Sequence, residues 1–149
     1  MDVDGTMTDG RLYYSSNGEE MKSFHSKDGY AIKKVLPELG IIPVIVTGRQ
    51  SAIVMRRASE LGITEVYQGI EQKLECVEEI LRKYNVNHKE TAYIGDDYND
   101  LDLIKICGFT ACPKDAVDEV KERADIILRR NGGEGAVSEF IDEIKKIKG

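Results

Sequence analysis

The chain has 149 residues, of which 41% are hydrophobic and 32% are charged, and its net charge is −6. This length suits one globular domain, and this composition excludes a disordered chain. No apolar run reaches the length of a membrane span and no signal peptide is visible, so we expect no membrane association. The negative charge argues against nucleic acid as the main partner. Three cysteines without CxxC spacing are typical of reduced thiols in a cytoplasmic protein.

The first nine residues contain two carboxylates at alternate positions, Asp2 and Asp4, followed by Gly5 and a threonine. On an extended backbone the two acids share a face, and Gly5 then lets the chain turn. One carboxylate can attack and the other can move a proton. The alternative is a solvated acidic terminus or an Asx turn. Only Met1 precedes Asp2, so either this strand is very short or residues that naturally precede it are missing.

The elements that follow alternate between strands and helices. Residues 12–24 carry aromatics around a Ser-Ser-Asn-Gly turn and predict a β-hairpin. Pro43 suggests that only the second half of its apolar strand pairs in the centre. Apolar periodicity predicts the remaining elements: helices near residues 28–39, 54–61, 74–84, 101–104, 115–123 and 137–147, and strands at 41–46, 66–67, 92–94, 109–111 and 126–128.

This alternation predicts an α/β fold, a doubly wound, Rossmann-like parallel sheet with right-handed crossovers. Ligands bind such sheets at the carboxyl ends of the strands. Four strand ends carry polar residues of suitable types: Asp2 with Asp4, Thr47 with Gly48, Lys73, and the acidic run from Asp96 to Asp100.

Each polar group has a chemical and a structural interpretation. A hydroxyl and free N–H groups at Thr47 can hold a phosphate, but Thr47 can also be a plain N-cap. Lys73 can bind an anion or be a solvated helix residue. The carboxylates from Asp96 to Asp100 repel one another unless a hard cation such as Mg²⁺ binds, or they form an acidic helix start.

Taken together, these motifs resemble the haloacid dehalogenase superfamily over essentially the whole chain. The resemblance implies that Asp2 is a nucleophile that forms an aspartyl-phosphate and that Asp4 is the general acid and base. It also implies that Thr47 and Lys73 bind the phosphoryl group. Mg²⁺ is then held by the Asp2 carboxylate, the Asp4 carbonyl and Asp96. Dehalogenases lack an Asp at the second position and ion pumps carry Thr there, so Asp4 indicates phosphate ester hydrolysis.

The spacing of the motifs leaves no room for a cap domain. The first interval holds a hairpin and one helix, and the second, from Thr47 to Lys73, holds a helix and a short strand. We therefore expect a single capless domain over residues 1–149. An open, wet site needs a macromolecular substrate or a neighbouring subunit as a lid. A phosphomutase, which needs a cap, is disfavoured.

Several longer segments carry a finer resemblance: DVDGTMTDG, GEE at 18–20, Phe24, KDGY at 27–30, TGR at 47–49, LGI at 61–63, YQG at 67–69, KL at 73–74, YIGDD at 93–97 and GGEGA at 132–136. Together they resemble the family of 3-deoxy-D-manno-octulosonate 8-phosphate phosphatases. The resemblance implies a homotetramer in which hairpins and tails of neighbours cover each site. Residues 12–24 and the glycine-rich residues 132–135 suit those roles.

Position 49 bears on the substrate. Octulosonate-type enzymes tend to carry Arg after the Thr-Gly, and nononate-type enzymes often carry Glu, so Arg49 with Gly48 is expected to bind a sugar carboxylate. Arg57 lies two helical turns further on and can reach a neighbour's site or be a solvated helix residue.

We therefore expect a Mg²⁺-dependent phosphatase of a small keto acid sugar phosphate, with 3-deoxy-D-manno-octulosonate 8-phosphate as the leading substrate. A phosphatase of nine-carbon, sialic acid-type 9-phosphates stays open, as does the related domain fused to acylneuraminate cytidylyltransferases. A non-catalytic oligomerisation domain is the alternative of another class. The filled catalytic positions favour an enzyme.

Overall fold

Two short parallel sheets lie side by side, and the first two residues of the chain join them. The computed structural model describes all 149 residues apart from the side chain of Glu20. One sheet pairs β3 with β4, and the other has the order β5, β6, β7. The strands are β3 (Val44–Val46), β4 (Glu65–Tyr67), β5 (Ala92–Ile94), β6 (Phe109–Cys112) and β7 (Ile126–Ile127).

Met1 and Asp2 form the bridge between these sheets. The Met1 nitrogen donates to the Val44 carbonyl oxygen at 2.8 Å, and the Met1 carbonyl accepts from Val46 at 3.0 Å. The Asp2 N–H donates to the Ile94 carbonyl on the other side, at 3.1 Å. The complete sheet therefore runs β4, β3, residues 1–2, β5, β6, β7. Met1 also lines an apolar groove of about 470 Å³.

The sequence prediction that the backbone stays extended through Asp4 is wrong. The N–H groups of Thr6, Met7 and Thr8 all donate to the Val3 carbonyl, at 3.1, 2.9 and 3.2 Å, so the chain turns directly after Asp2. Gly5 has φ +92° within this turn, as its position in the motif predicts. Asp2 ends the short strand, and Asp4 belongs to the turn.

Helices pack around the sheet, and the hairpin lies at one end. The hairpin pairs β1 (Tyr13–Ser15) with β2 (Gly18–Met21). Between β2 and β3, and between β3 and α4, the described residues contain short helices and β4, so the expected absence of a cap holds there. The helices are α1 (Ser26–Tyr30), α2 (Leu36–Glu38), α3 (Ala52–Leu61), α4 (Lys73–Tyr84), α5 (Leu101–Ile106), α6 (Asp118–Arg123) and α7 (Ala136–Lys148).

The helix predicted at residues 28–39 is interrupted by a π-helical segment, Ala31–Val35, between α1 and α2. The Leu36 N–H donates to the Ala31 carbonyl, five positions back. Pro37 follows at the start of α2, where its missing N–H is tolerated. A π turn of this kind accommodates one extra residue in the helix.

Apolar side chains from both faces of the sheet form the core. The larger cluster joins β3 and β5 to α3 and α7, with Ile45, Ile94, Val54 and Ile141 almost fully buried. A second cluster lies under α5 and α6. None of the helices in the part of the chain that the structure describes has the length and hydropathy needed to cross a membrane.

Candidate active site

Three of the acids and one lysine meet at the carboxyl ends of the central strands. The Lys73 ammonium lies 2.7 Å from an Asp2 oxygen and 2.8 Å from an Asp100 oxygen. Carboxylate oxygens of Asp2, Asp96 and Asp100 lie within 4.8 Å of one another. The side chains of Asp2, Lys73 and Asp100 are buried. The structure therefore brings together the predicted nucleophile, phosphate-binding lysine and metal-binding Asp96.

Charge crowding perturbs the pKa values of this cluster. Burial first, and the charge of Asp2 second, raise the pKa of Asp96 to about 9. Burial and the charge of Asp100 also raise the pKa of Asp2, although Lys73 opposes this. Burial alone would lower the pKa of Lys73, but the two flanking carboxylates outweigh it and the pKa lies above its usual value. The lysine is therefore charged. Its single positive charge does not neutralise the three carboxylates when all of them are ionised.

The donor set fits a magnesium ion. Carboxylate oxygens are the ligands that Mg²⁺ prefers, and clustered acids with a raised pKa favour a bound cation. Gly5 is needed for this geometry, because a Cβ there would lie 1.9 Å from Asp96 Oδ2. The Thr6 hydroxyl donates to Asp96 Oδ1 at 2.9 Å and fixes the second oxygen.

Asp100 is the residue that the sequence reasoning did not assign individually. Its Oδ1 accepts from Lys73 and from the Tyr93 hydroxyl, and its Oδ2 accepts from the N–H groups of Asp96 and Asp97. These four donors fix the carboxylate as the counter-ion of Lys73. Asp97 instead caps the 3₁₀ turn Tyr98–Asp100, so the acidic helix-start interpretation holds for that residue. The Asp-Asp-x-x-Asp spacing is the feature of the sequence that could have indicated a role for Asp100.

Thr47 and Gly48 follow β3 at the same edge of the sheet. Thr47 is buried, its N–H donates to the Tyr67 carbonyl at 2.9 Å, and its carbonyl accepts from Ile70 at 3.1 Å. A Cβ on Gly48 would lie 3.6 Å from Asn99 Nδ2, beside the acidic run. Both residues thus lie where a phosphate could contact the cluster, and their binding roles stay predictions.

Asp4 contacts the hairpin rather than the buried cluster. Its carboxylate accepts from Lys22 Nζ at 2.5 Å, and Lys22 also lies 3.1 Å from Glu19. Only 1% of the Lys22 side chain is exposed. Glu19 in turn accepts from the hydroxyl of Ser51, the N-cap of α3. The hairpin is therefore bonded to the site of its own chain, through Lys22 and Glu19.

Arg49 also contacts the hairpin. Its guanidinium donates to the Tyr14 hydroxyl, lies 5.8 Å from the centre of the Tyr14 ring, and is 3.9 Å from Glu19. Its side chain is 41% exposed, so it can exchange these partners for a ligand. Its proposed contact with a substrate carboxylate stays a prediction.

Arg57 lies apart from the carboxylate cluster. Its guanidinium is 5.5 Å from the centre of the Phe24 ring, its Nη1 lies 3.4 Å from Glu60, and a Cβ on Gly29 would lie 2.4 Å from its Nη2. These contacts are within one chain, so a role in a neighbour's site stays a prediction.

Comparisons with known proteins place this geometry in a family. The model of the haloacid dehalogenase-like hydrolases matches residues 57–141, more than half of the chain. The chain belongs to the haloacid dehalogenase-like hydrolase family. It is 40% identical, over 99% of its length and 82% of the relative's, to the 3-deoxy-D-manno-octulosonate 8-phosphate phosphatase KdsC of Haemophilus influenzae.

Solved structures agree with this assignment. The 3-deoxy-D-manno-octulosonate 8-phosphate phosphatase of Moraxella catarrhalis, in complex with a magnesium ion, a phosphate ion and KDO, matches with a TM-score of 0.93 and 39% identity over 97% of this chain and 83% of that one. The cobalt-bound phosphatase of Haemophilus influenzae matches with a TM-score of 0.94 and 39% identity over 99% and 86%. The expected haloacid dehalogenase fold and the expected phosphoric monoester hydrolase are thereby confirmed.

Proposed function

We propose that this haloacid dehalogenase-like hydrolase removes the phosphate from 3-deoxy-D-manno-octulosonate 8-phosphate. The observation that carries the proposal is the placement of the Asp2 carboxylate beside Lys73 and Asp96 at the end of the central strand. The proposed nucleophile, the proposed cation for the phosphoryl oxygens and the proposed metal-binding carboxylate therefore adjoin one another. The similarity to KdsC supports the choice of substrate.

In the first step, an Asp2 oxygen forms a bond to phosphorus while the bond to the sugar oxygen breaks. Asp4 gives its proton to that leaving oxygen, so the sugar departs as a neutral hydroxyl. Lys73 and Thr47 hold the oxygens of the transferring group, whose negative charge Lys73 offsets. Asp100 keeps the Lys73 ammonium in place for this task.

In the second step, Asp4 takes a proton from a water molecule, and the water oxygen attacks phosphorus. The bond between phosphorus and Asp2 breaks, and inorganic phosphate leaves. We propose that Asp2, the Asp4 carbonyl and Asp96 would hold Mg²⁺. The ion would supply positive charge to the phosphoryl oxygens. Asp96 would give up its proton in that state, because the cation would offset the charge of Asp2.

Arg49 is proposed to select the substrate by its carboxylate. A guanidinium can form two parallel hydrogen bonds to a keto acid carboxylate. The exposed Arg49 side chain lies 3.9 Å from Glu19, which pairs with the same lysine as Asp4 does. Tyr14 and Glu19 hold it there until substrate enters. Gly48 leaves space beside it for the sugar.

We also propose that the protein acts in the cytoplasm as a homo-oligomer, with a tetramer as the expected form. The hairpin region carries three half-exposed apolar side chains, Leu12, Tyr14 and Met21. Such a patch next to an open site is typical of an interface. The three free cysteines of the chain are compatible with a reducing compartment. Light scattering that shows a fully active monomer would contradict the oligomer.

A panel of phosphate esters tests the proposed activity. Phosphate release is measured on 3-deoxy-D-manno-octulosonate 8-phosphate, a nine-carbon keto acid 9-phosphate and p-nitrophenyl phosphate, with Mg²⁺ and with a chelator. We expect the highest kcat/KM on the eight-carbon substrate and loss of activity with the chelator. Preference for the nine-carbon ester would move the protein to the sialic acid branch. No release from any ester would refute the phosphatase.

A further inference from the structure

The glycine-rich loop at residues 132–135 packs against the turn that follows Asp2 in the same chain. The Gly133 N–H donates to the Thr6 carbonyl at 3.2 Å. A Cβ on Gly132 would lie 1.9 Å from the Gly5 carbonyl oxygen and 2.8 Å from that of Thr8. Backbone atoms cannot yield as side chains do, so only glycine allows this approach. Residues 132–135, which the sequence analysis expects to cover a neighbour's site, therefore contact the turn of their own chain.

The same turn also contacts Asp96, the proposed metal-binding carboxylate. A Cβ on Gly5 would lie 1.9 Å from Asp96 Oδ2, and the Thr6 hydroxyl donates to Asp96 Oδ1. The turn thus contacts both the glycine loop and the Asp96 carboxylate. A displacement of the loop would therefore act on Asp96 through Gly5 and Thr6.

Two carboxylates, Glu139 and Asp115, accept hydrogen bonds from the loop and from the residues just before it. Glu139 is 8% exposed and accepts from the N–H groups of Arg129 and Arg130 at 3.1 to 3.2 Å. Burial alone would raise the pKa of Glu139, but the hydrogen bonds from the two arginines outweigh it and hold the pKa below its usual value. Asp115 Oδ1 accepts from the Gly132 N–H at 3.0 Å. The loop is therefore a fixed support rather than a free tail.

We propose that Gly132 and Gly133 are positioning residues for the reaction, which set the separation of the Asp2 and Asp96 carboxylates through the Gly5–Thr8 turn. This inference rests on the proposed phosphatase function. Thr47 and Lys73 lie on other elements, so displacing the turn should slow the chemical step and weaken metal binding without weakening the hold on the phosphoryl group.

Gly132→Ala tests the inference, with Gly108→Ala as a matched control. Neither glycine has a positive φ, and a Cβ on Gly108 would lie 2.1 Å from the Lys89 carbonyl oxygen, an equally severe backbone clash. Gly108 precedes β6 and Lys89 precedes β5, so the control clash lies at the sheet edge opposite the site. Melting temperature, kcat, KM and the Mg²⁺ concentration at half activity are measured for both variants.

We expect both variants to melt earlier and only Gly132→Ala to lose function per folded molecule. Its kcat should fall by about 10²-fold, as for a misplacement of about 1 Å, while KM changes little. Half-saturating Mg²⁺ should rise by about 10- to 100-fold, as for other residues that orient metal ligands. The rise in melting temperature on adding Mg²⁺ should shrink in Gly132→Ala and persist in Gly108→Ala. Equal kcat and equal Mg²⁺ response in the two variants would overturn the inference.

If Gly132→Ala does not fold, Asp115→Ala provides a second test of the inference. Asp115 is exposed, and its loss frees the Gly132 N–H without a clash. We expect a smaller loss of kcat and Mg²⁺ response in the same direction, relative to Asp142→Ala on the exposed face of α7. Wild-type behaviour of Asp115→Ala would then overturn the inference. A wild-type protein that hydrolyses no ester would instead refute the phosphatase, and the Mg²⁺ melting shifts would still decide the positioning of Asp96.

Discussion

The Lys73 ammonium lies 2.7 Å from the Asp2 carboxylate, although 71 positions separate the two residues along the chain. Asp100 lies 2.8 Å from the same nitrogen on its other side. One buried cation thus lies between two buried carboxylates and offsets part of their charge. This arrangement links the stability of the fold to the chemistry of the site.

Lys73→Met should destabilise the protein and abolish phosphate release. Removing one partner of a buried ion pair leaves uncompensated charge, which costs about 3–5 kcal/mol of the free energy of unfolding. Lys83→Met, at the exposed end of the same helix, is the control and should change stability much less, because water screens its pair with Glu65. Urea unfolding at neutral pH measures both. Equal losses in the two variants would contradict a buried charge balance at Lys73.

The stability of the metal-free protein should fall as the pH rises from about 4 to about 9. The pKa of Asp96 is raised from 3.8 to about 9, mainly by burial and the charge of Asp2. In that window the folded protein holds a proton that the unfolded chain has lost, so each rise in pH favours unfolding, by at most about 1.4 kcal/mol per pH unit for one proton. Urea unfolding with a chelator measures the slope.

Asp96→Asn should flatten that slope, because its amide does not titrate. In the wild-type protein, Mg²⁺ should displace the Asp96 proton on binding. Calorimetry at pH 7 in buffers of different ionisation enthalpy should therefore detect about one proton released per ion bound. Binding without proton release, or the same slope in both proteins, would show that Asp96 is already ionised.

Asp4→Asn should lower kcat by about 10²- to 10⁴-fold, the usual contribution of a positioned acid–base group. The variant also weakens the contact with Lys22, so Lys22→Met is the matched control. That control removes the ion pair and leaves the carboxyl group in place. We expect steady-state assays to show a smaller loss for Lys22→Met. Equal losses would mean that the contact between hairpin and Asp4, rather than the proton of Asp4, carries the effect.

The strand ends and their polar residues could be predicted from sequence because apolar runs and helical periodicity fix where each element stops. This placed Asp2, Thr47, Lys73 and Asp96 at one edge of the sheet, and three of them meet in the buried cluster. The length of the first strand could not be predicted. Hydrogen bonds to the Val3 carbonyl turn the chain after Asp2, and local sequence does not reveal this competition.

Contacts between residues that are distant along the chain could not be predicted from the sequence either. Lys22 contacts Asp4, 18 positions away, and the sequence analysis assigned no role to that lysine. The contact of Gly132 with Gly5 spans nearly the whole chain. Asp100 looked like a helix-start acid, and only burial beside Lys73 and Tyr93 distinguishes it from its neighbour Asp97.

Arg49→Ala should raise KM for keto acid sugar phosphates and change little for p-nitrophenyl phosphate, which has no carboxylate. A charged, bidentate pair contributes about 1.5–3 kcal/mol, or about 10- to 150-fold in KM. Arg49→Lys should recover only part of the loss, because one ammonium cannot match the planar guanidinium. Tyr14→Phe, which keeps the ring but removes the hydroxyl that Arg49 contacts, is the control. Equal effects of Arg49→Ala on both substrates would assign Arg49 to the phosphate or to the fold.

Phosphate release by Asp2→Asn tests the central claim most directly. The variant keeps the size of the side chain but loses the nucleophile and a metal ligand, whereas Asp142→Asn makes the same change on the exposed face of α7. With 3-deoxy-D-manno-octulosonate 8-phosphate and Mg²⁺, we predict rapid release by the wild-type protein and by Asp142→Asn, and no release by a folded Asp2→Asn. Near-wild-type turnover in Asp2→Asn would contradict the aspartyl-phosphate reaction at this site.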